Sequence, residues 1–484
     1  MTPRYAELGQ AFLPEAALVV GALLVLTVDI CFGRNRSNIQ RLRIAAAIGI
    51  LAMVGAAQGS LVAGVNGPVF GGALVLDSLA LMTRLGVLVL GAITLGLVTS
   101  TPRQQNPAEY VAIILFGTCG FTLMAVAQNL LIAFLALELA SLSLYVLAGF
   151  DQTRPTSAEA ALKYFLVGGV SAAFLLFGFS LLYGLTGSIA LPEIAAALRT
   201  QPGSILLVIA LVMILAAFGF KVAAAPFHLW APDVYQGAPP ASAALIASAS
   251  KLAGFGLFVR LLWGGLHPAS SGEMSGWITV VVVISAVSLL LGNIAALAQT
   301  NVRRLLAYSA IAHAGALLLG VITAGRFGPA AIYYYAATYG LATVGAFGVI
   351  AVVDGAGRCQ DLTDLAGLHR RSPLLAGFLL VFVLSLAGIP PLAGFFGKFA
   401  VFAAALKING LESAAGWLAF LAIAMSAVGL YYYLLILKQA LVARPAAGAS
   451  RIDVPLGPAA ALALAATLLI ALGVFPSVIL RLVS

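Results

Sequence analysis

Charge is what this sequence has least of. Only 8% of its 484 residues are Asp, Glu, Lys or Arg, while 62% are hydrophobic. Soluble domains carry about 25% charged residues, so a water-soluble fold is excluded and an integral membrane protein is expected. No polar stretch is long enough to form a soluble domain. Ten-residue segments of alternating hydrophobicity are missing too, which argues against a barrel. The three cysteines, Cys31, Cys119 and Cys359, lie too far apart for a disulfide framework or a metal-ligand spacing. No metal site is therefore expected. A P-loop and a dinucleotide fingerprint are both lacking, so no cofactor is expected in this chain. The formal charge of +9 does not indicate nucleic acid, because the basic residues are scattered over short loops and form no patch with interleaved aromatics.

What the sequence does have is apolar runs of about 20 residues, each long enough to cross a bilayer as a helix. Fourteen spans are expected, at roughly 11–32, 43–64, 75–98, 108–127, 129–149, 159–185, 204–225, 240–263, 277–299, 304–324, 329–353, 374–404, 413–437 and 457–481. The first carries no small-residue cleavage site and reads as a retained helix. The run at 374–404 is too long for one simple crossing and contains Gly388-Ile389-Pro390-Pro391, which predicts a broken helix. Loop charge tests the count. With alternate loops assigned to opposite sides, 14 Lys and Arg residues, Arg103, Arg154 and Arg358 among them, fall on one side and 5, including Arg4, on the other. Cytoplasmic loops carry such an excess, so both termini are expected on the outer, periplasmic side.

Six basic residues lie inside the expected spans: Arg84, Lys163, Lys221, Lys251, Arg260 and Lys398. Glu138 joins them in the fifth span. A charge at mid-bilayer costs about 2.5–3.5 kcal/mol on insertion scales and usually faces a bundle interior or a wet cavity. Arg260, near a helix end, is expected to snorkel. Arg84 follows Asp77 by seven residues, on about the same helix face, and is expected to pair with it. Lysine, unlike arginine, can release its proton, and an approaching or retreating carboxylate decides whether it does. A Lys–Glu pair whose separation changes is a proton switch, and a row of such lysines linked by water is a lateral proton path. The plainer alternative is that carbonyls satisfy the lysines and fix helix packing.

Two of the lysines flank helix breakers. Lys221 precedes Pro226 by five residues, and Lys398 follows Pro390 and Pro391. A broken membrane helix lines a polar cavity with its freed backbone groups, and transporters place ion sites at such discontinuities in two matching repeats. Lys398 stands 177 residues after Lys221, and His313 stands 175 after Glu138. These offsets suggest two five-helix units of inverted orientation, with His313 at the place of Glu138. The expected division is 1–107 (three N-terminal helices), 108–263 (first repeat), 264–440 (second repeat) and 441–484 (last helix). His313, with an unperturbed pKa near 6.5 for its type, is a candidate relay or a packed histidine bonded to Tyr308 or Ser309. His228 and Asp233, in the proline-stiffened loop PFHLWAPDVYQGAPP, are candidates for proton uptake or for a structural contact with each other.

The segments FKVAAAPFHLWAPDVYQGAP, NVRRLLAYSAIAHAG and SLAGIPPLAGFFGKFAVF resemble the proton-conducting, antiporter-like membrane subunits of respiratory complex I. FLALELASLSLYVLAGF, ALKYFLVGGVSAAFLLFGFSLLYGLTGS and DLAGLHRRSPLLAG are similar to subunit N of the proton-pumping NADH-quinone oxidoreductase. The resemblance implies an all-α polytopic fold of about fourteen helices with two inverted five-helix repeats, each broken once. It implies that Glu138 modulates Lys221, that Lys251 is a central relay, that Lys398 is the outward terminal site and that Lys163 is an additional lysine. It also implies neighbouring antiporter-like and peripheral subunits as partners in a bacterial inner membrane, with flavin and iron–sulfur clusters held by those partners and quinone as the substrate of the whole complex. A subunit of a multisubunit cation/proton antiporter and a non-conducting scaffold remain the rival readings.

Overall fold

The computed structural model describes residues 9–65, 67–100, 106–200, 204–266, 276–357, 359–408, 410–445 and 449–483. Arg4, Arg103 and Arg358, which entered the loop-charge count, lie outside the described residues. Among those described, 12 helices are long and apolar enough to cross a membrane. They are α1 (Leu13–Phe32), α2 (Asn38–Ala63), α3 (Ser78–Val98), α4 (Pro107–Val126), α5 (Leu130–Ala148), α6 (Pro155–Thr186), α8 (Pro240–Gly264), α9 (Trp277–Leu297), α10 (Val302–Phe327), α11 (Ala330–Ala356), α14 (Ala414–Leu441) and α15 (Leu456–Val474). The two remaining expected spans are divided. The first is α7 (Ile205–Lys221), followed by a break and a short helix at Trp230–Gly237. The second is split into α12 (Pro373–Ala387) and α13 (Ala393–Leu406). The chain is an all-α polytopic membrane protein. A single two-stranded hairpin, Gly67–Val69 against Leu74–Leu76, is the described sheet.

Local chemistry sets the helix ends. Proline opens α4, α6 and α12, where its missing N–H is no loss and its fixed φ suits a first turn. Asn129 and Asn301 cap α5 and α10 through side-chain oxygens, and Asp77 caps α3 in the same way. Gly388 closes α12 at φ 87°, a left-handed conformation that a Cβ would strain. In the middle of the bundle α10 and α11 are almost wholly surrounded by protein, whereas α1 and α6 present most of their apolar surface outward. A helix that is apolar all round belongs in the core of such a bundle.

One set of contacts recurs at a fixed offset. A Cβ on Gly120 of α4 would lie 2.6 Å from Ala140 N and 2.9 Å from Ala136 O of α5. On Gly292 of α9 it would lie 2.5 Å from Ala312 N and 2.9 Å from Tyr308 O of α10. Each residue of the second crossing stands 172 positions after its counterpart, as do the capping residues Asn129 and Asn301. The backbone closes alike at both sites. Leu130 N–H donates to Ile189 O and Leu191 N–H to Gln128 O, while Val302 N–H donates to Gln360 O and Leu362 N–H to Thr300 O. This register sets Ala310 opposite Glu138 and His313 opposite Ser141. The sequence reading, which put His313 at the place of Glu138, is therefore corrected by one helical turn: it aligned polar residues, whereas the backbone crossing aligns small ones.

Candidate functional site

Helix α5 brings Glu138 and Ser141 to one face, because residues three apart on a helix are neighbours. Against that face α7 ends at Lys221. The chain then leaves the helix, with Ala223 at φ 57°, and its freed polar groups find partners inside the protein. Trp230 Nε1 donates to Phe220 O at 3.1 Å, and Ala225 N–H donates to Ser288 Oγ at 2.9 Å. The latter bond joins the break to α9, beyond the first predicted unit. Lys221 is buried at 4% exposure, and its Nζ donates to Ser141 Oγ at 3.2 Å. Glu138 lies within electrostatic reach of Lys221, and its buried Oε1 has no hydrogen-bond partner.

The row continues inward. The Lys221 stem passes the Cα of Gly254 in α8, with Cγ 3.5 Å from where a Cβ would stand. Lys251 is one turn away on the same helix. Its Nζ donates to Ala310 O at 2.5 Å and sits 5.3 Å from the centre of the Tyr339 ring, a cation–π distance. His313, one turn beyond Ala310 on α10, is within electrostatic reach of both Lys251 and Lys398. Its Nδ1 bonds the Tyr335 hydroxyl at 2.7 Å and its Nε2 the Tyr433 hydroxyl at 3.0 Å. Tyr433 in turn bonds Ser309. Lys398 on α13 reaches back across the second break to donate to Ala387 O at 3.0 Å, a carbonyl freed at the end of α12. A polar cavity joins His313, Lys398, Tyr335, Tyr433 and Asn293. Sites with several polar partners of this kind hold water well. Lys221, Lys251 and His313, all buried, and the half-buried Lys398 thus form one series across four helices, with a helix break at each end.

Residues 127–433 match the family described as NADH:quinone oxidoreductase/Mrp antiporter, TM. The chain belongs to this family. It is 46% identical over 494 residues to NADH-quinone oxidoreductase subunit N 2 of Acidobacterium capsulatum, covering 99% of this chain and 98% of that one. It is 38% identical to subunit N 1 of Roseiflexus castenholzii over 522 residues, covering 96% of each. A chain of respiratory complex I from Thermus thermophilus with bound aureothin superimposes with a TM-score of 0.79 at 34% identity, covering 97% of this chain and 98% of that one. A chain of the Mrp complex from Dietzia sp. DQ12-45-1b, 21% identical with a TM-score of 0.81 over 100% of this chain and 96% of its own length, shares the fold.

In this quinone oxidoreductase and antiporter family member, the other expected residues divide between rim and core. Lys163 lies at the rim, with its side chain 44% exposed, and bonds Glu159 and Asp233 at 2.7 Å each. It therefore stands outside the series, because the acids Glu159 and Asp233 hold its ammonium at the protein surface. Asp233 also binds Arg304 at 2.6 Å. Both its oxygens are engaged, and the structural His228–Asp233 contact, one of the two readings of this loop, does not form. His228 is buried with Nδ1 unpartnered. Two arginine expectations are overturned as well. Arg84 pairs with Glu15 at 2.8 Å, while Asp77 takes both guanidinium nitrogens of Arg260 at 2.8 Å each. Arg260 does not snorkel, since its side chain is 6% exposed: the Asp77 carboxylate at the start of α3 holds it in the protein. Sequence reasoning missed Glu15, although an acid within the first expected span was a signal of the same kind as Glu138. It also missed Ser141, Tyr335 and Tyr433, which carry no signal in a chain rich in buried hydroxyls.

Proposed function

We propose that this chain is the proton-translocating subunit N of an NADH-quinone oxidoreductase. It moves protons through its own buried residues while partner subunits hold flavin and iron–sulfur clusters, oxidise NADH and reduce quinone. The observation that carries this reading is the series of buried Lys221, Lys251 and His313 and half-buried Lys398, served by hydroxyls, carbonyls and a polar cavity. Three separate lysines in an apolar core have no packing purpose that leucine would not serve better, whereas each can bind and release a proton. Glu138 sets the balance at one end: with the carboxylate ionised and near, Lys221 keeps its proton, and with the carboxylate withdrawn or neutralised, Lys221 passes it inward. His313 links Lys251 to Lys398, and its tyrosine partners fix its ring. Moving one charge against the membrane potential requires about 2.3 kcal/mol per 100 mV, so a quinone-driven charge change at one end must be relayed through several coupled pairs. The two five-helix units at 108–263 and 264–440 would then provide two half-paths of opposite orientation. The chain would lie in a bacterial inner membrane with its termini on the periplasmic side.

The test is Lys221→Ala in the assembled complex in membrane vesicles, reading proton uptake together with NADH-driven quinone reduction. Both should fall together. Wild-type values for both, with the complex intact, would leave Lys221 as packing and return the chain to a scaffold. The likeness to a chain of the Mrp complex, at 21% identity, supports a shared fold alone.

A further inference from the structure

The Lys221 ammonium has one hydrogen-bond partner among the described residues, the hydroxyl of Ser141 at 3.2 Å. Ser141 is 2% exposed. One turn further along α5, the hydroxyl of Tyr145 lies beside Ser141 and within electrostatic reach of Glu138. That turn leads toward the loop between α5 and α6, where Arg154 bonds Asp151 and Asp354. Lys221 therefore meets two hydroxyls in succession on one helix face, on the side of α5 that leads to this loop. The 172-residue register adds a second, independent observation. Ser141 occupies, in the first crossing, the position that His313 holds in the second. His313 there links two lysines and bonds two hydroxyls. A hydroxyl, like an imidazole, both donates and accepts, which is what a relay position needs and an alanine would lack.

We propose that Ser141 is the relay residue of the first unit: the proton that loads Lys221 comes through the Ser141 hydroxyl from the Tyr145 side. The inference rests on the proton-translocating reading above. The step balances with water as the proton source. A hydronium arriving on the Tyr145 side gives a proton to the Tyr145 oxygen as the Tyr145 hydroxyl proton passes to Ser141 Oγ. The Ser141 proton then passes to the neutral Lys221 amine. Both hydroxyls end neutral, as they began, and Lys221 ends as ammonium. Glu138, one turn before Ser141 on the same face, attracts the incoming charge without lying in the path. Ser141 is in this sense a positioning group for Lys221 and also the atom through which the proton moves.

The experiment uses the assembled complex in vesicles with Ser141→Ala, Ser141→Cys and Ser141→Thr beside Lys221→Ala. Assembly is checked by native electrophoresis. Threonine keeps the hydroxyl, while cysteine keeps the volume but is a weak hydrogen bonder. Proton uptake coupled to quinone reduction should fall about a hundredfold or more in the alanine and cysteine variants, from the low end of what a placed proton-transfer group contributes upward, and stay near wild type with threonine. If alanine and cysteine pump as wild type does while Lys221→Ala does not, the relay is refuted and the translocating reading stands. If threonine fails alongside alanine and cysteine, the residue matters for packing and the relay is likewise refuted. If Lys221→Ala itself pumps normally, the underlying reading falls first.

Discussion

The Arg84–Glu15 pair offers a sharp quantitative test of how this bundle holds charge. Its side chains are 2% and 6% exposed, and the ions meet at 2.8 Å. Arg84 also donates to Ala11 O at 3.1 Å, so it ties α3 to the start of α1. Replacing Glu15 with alanine leaves a guanidinium in an apolar interior without a counter-ion. Breaking such a pair by removing one partner costs about 3–5 kcal/mol, whereas replacing both by apolar groups of similar size is often neutral. Cys119 on α4 is buried and within electrostatic reach of both ions, which makes it a local reporter. Its alkylation by a small membrane-permeant maleimide, read by mass spectrometry against buried Cys359 as internal reference, follows local opening. At one decade per 1.4 kcal/mol, Glu15→Ala should speed the reaction by about two to three and a half decades. The Glu15→Leu, Arg84→Met double variant should return it to within about tenfold of wild type. Reaction in the double variant as fast as in Glu15→Ala alone, or no acceleration in Glu15→Ala, would show that the pair is not what closes this region.

Other outcomes follow from the same geometry. A Cβ on Gly168 of α6 would stand 2.0 Å from the Tyr145 hydroxyl, so Gly168→Ala should displace that hydroxyl and slow proton uptake while altering no titratable group; vesicle pumping assays decide it, and unchanged pumping would count against the Tyr145 path. Gly388→Ala should cost about 1–2 kcal/mol from its left-handed backbone and crowd the Lys398 stem 3.1 Å away, measured as a lower midpoint for heat inactivation of the complex. Burial works against ionisation of Asp77, but the Arg260 hydrogen bonds outweigh it and hold its carboxyl below the usual 3.8. A depressed carboxyl adds stability above its unfolded value and loses it as pH falls through the folded one. Between pH 7 and pH 5 the wild type should therefore keep an advantage over Asp77→Asn of about 1 kcal/mol or less, since Asp77 is 40% exposed. The advantage should vanish on further acidification; a gap that widened in acid would reverse the assignment.

Much of the fold was readable because the bilayer enforces it. Apolar runs of fixed length, Pro226 and Pro390-Pro391 as breakers, and Lys221, Lys251 and Lys398 as charges in apolar surroundings all stand out in a chain with so few ions. Pairing was not readable. Arg84 and Glu15 are 69 residues apart and Arg260 and Asp77 are 183 apart, and a seven-residue spacing within α3 offered a nearer, wrong partner. The register failed for a related reason. Glu138 and His313 are conspicuous, but helix crossings are set by glycine and alanine where backbones touch, and those carry no chemical flag. Lys163 looked like its deeper counterparts because a span end cannot be located to within a turn from hydropathy alone.

The bond from Ala225 N–H to Ser288 Oγ has a consequence for how the chain tolerates being cut. An amide at the α7 break is satisfied by a hydroxyl from α9, and that same hydroxyl donates onward to Ile284 O. Severing the chain between α8 and α9 leaves both ends of this bond present but on separate pieces. Produced alone, the first piece would expose an orphan amide to hydrocarbon, at several kcal/mol, with no solvent to take up the loss. Co-produced, the pieces should find each other and reassemble, because each holds the complement the other lacks. The break beside Lys221 is thus also one of the fastenings by which one half of the chain recognises the other.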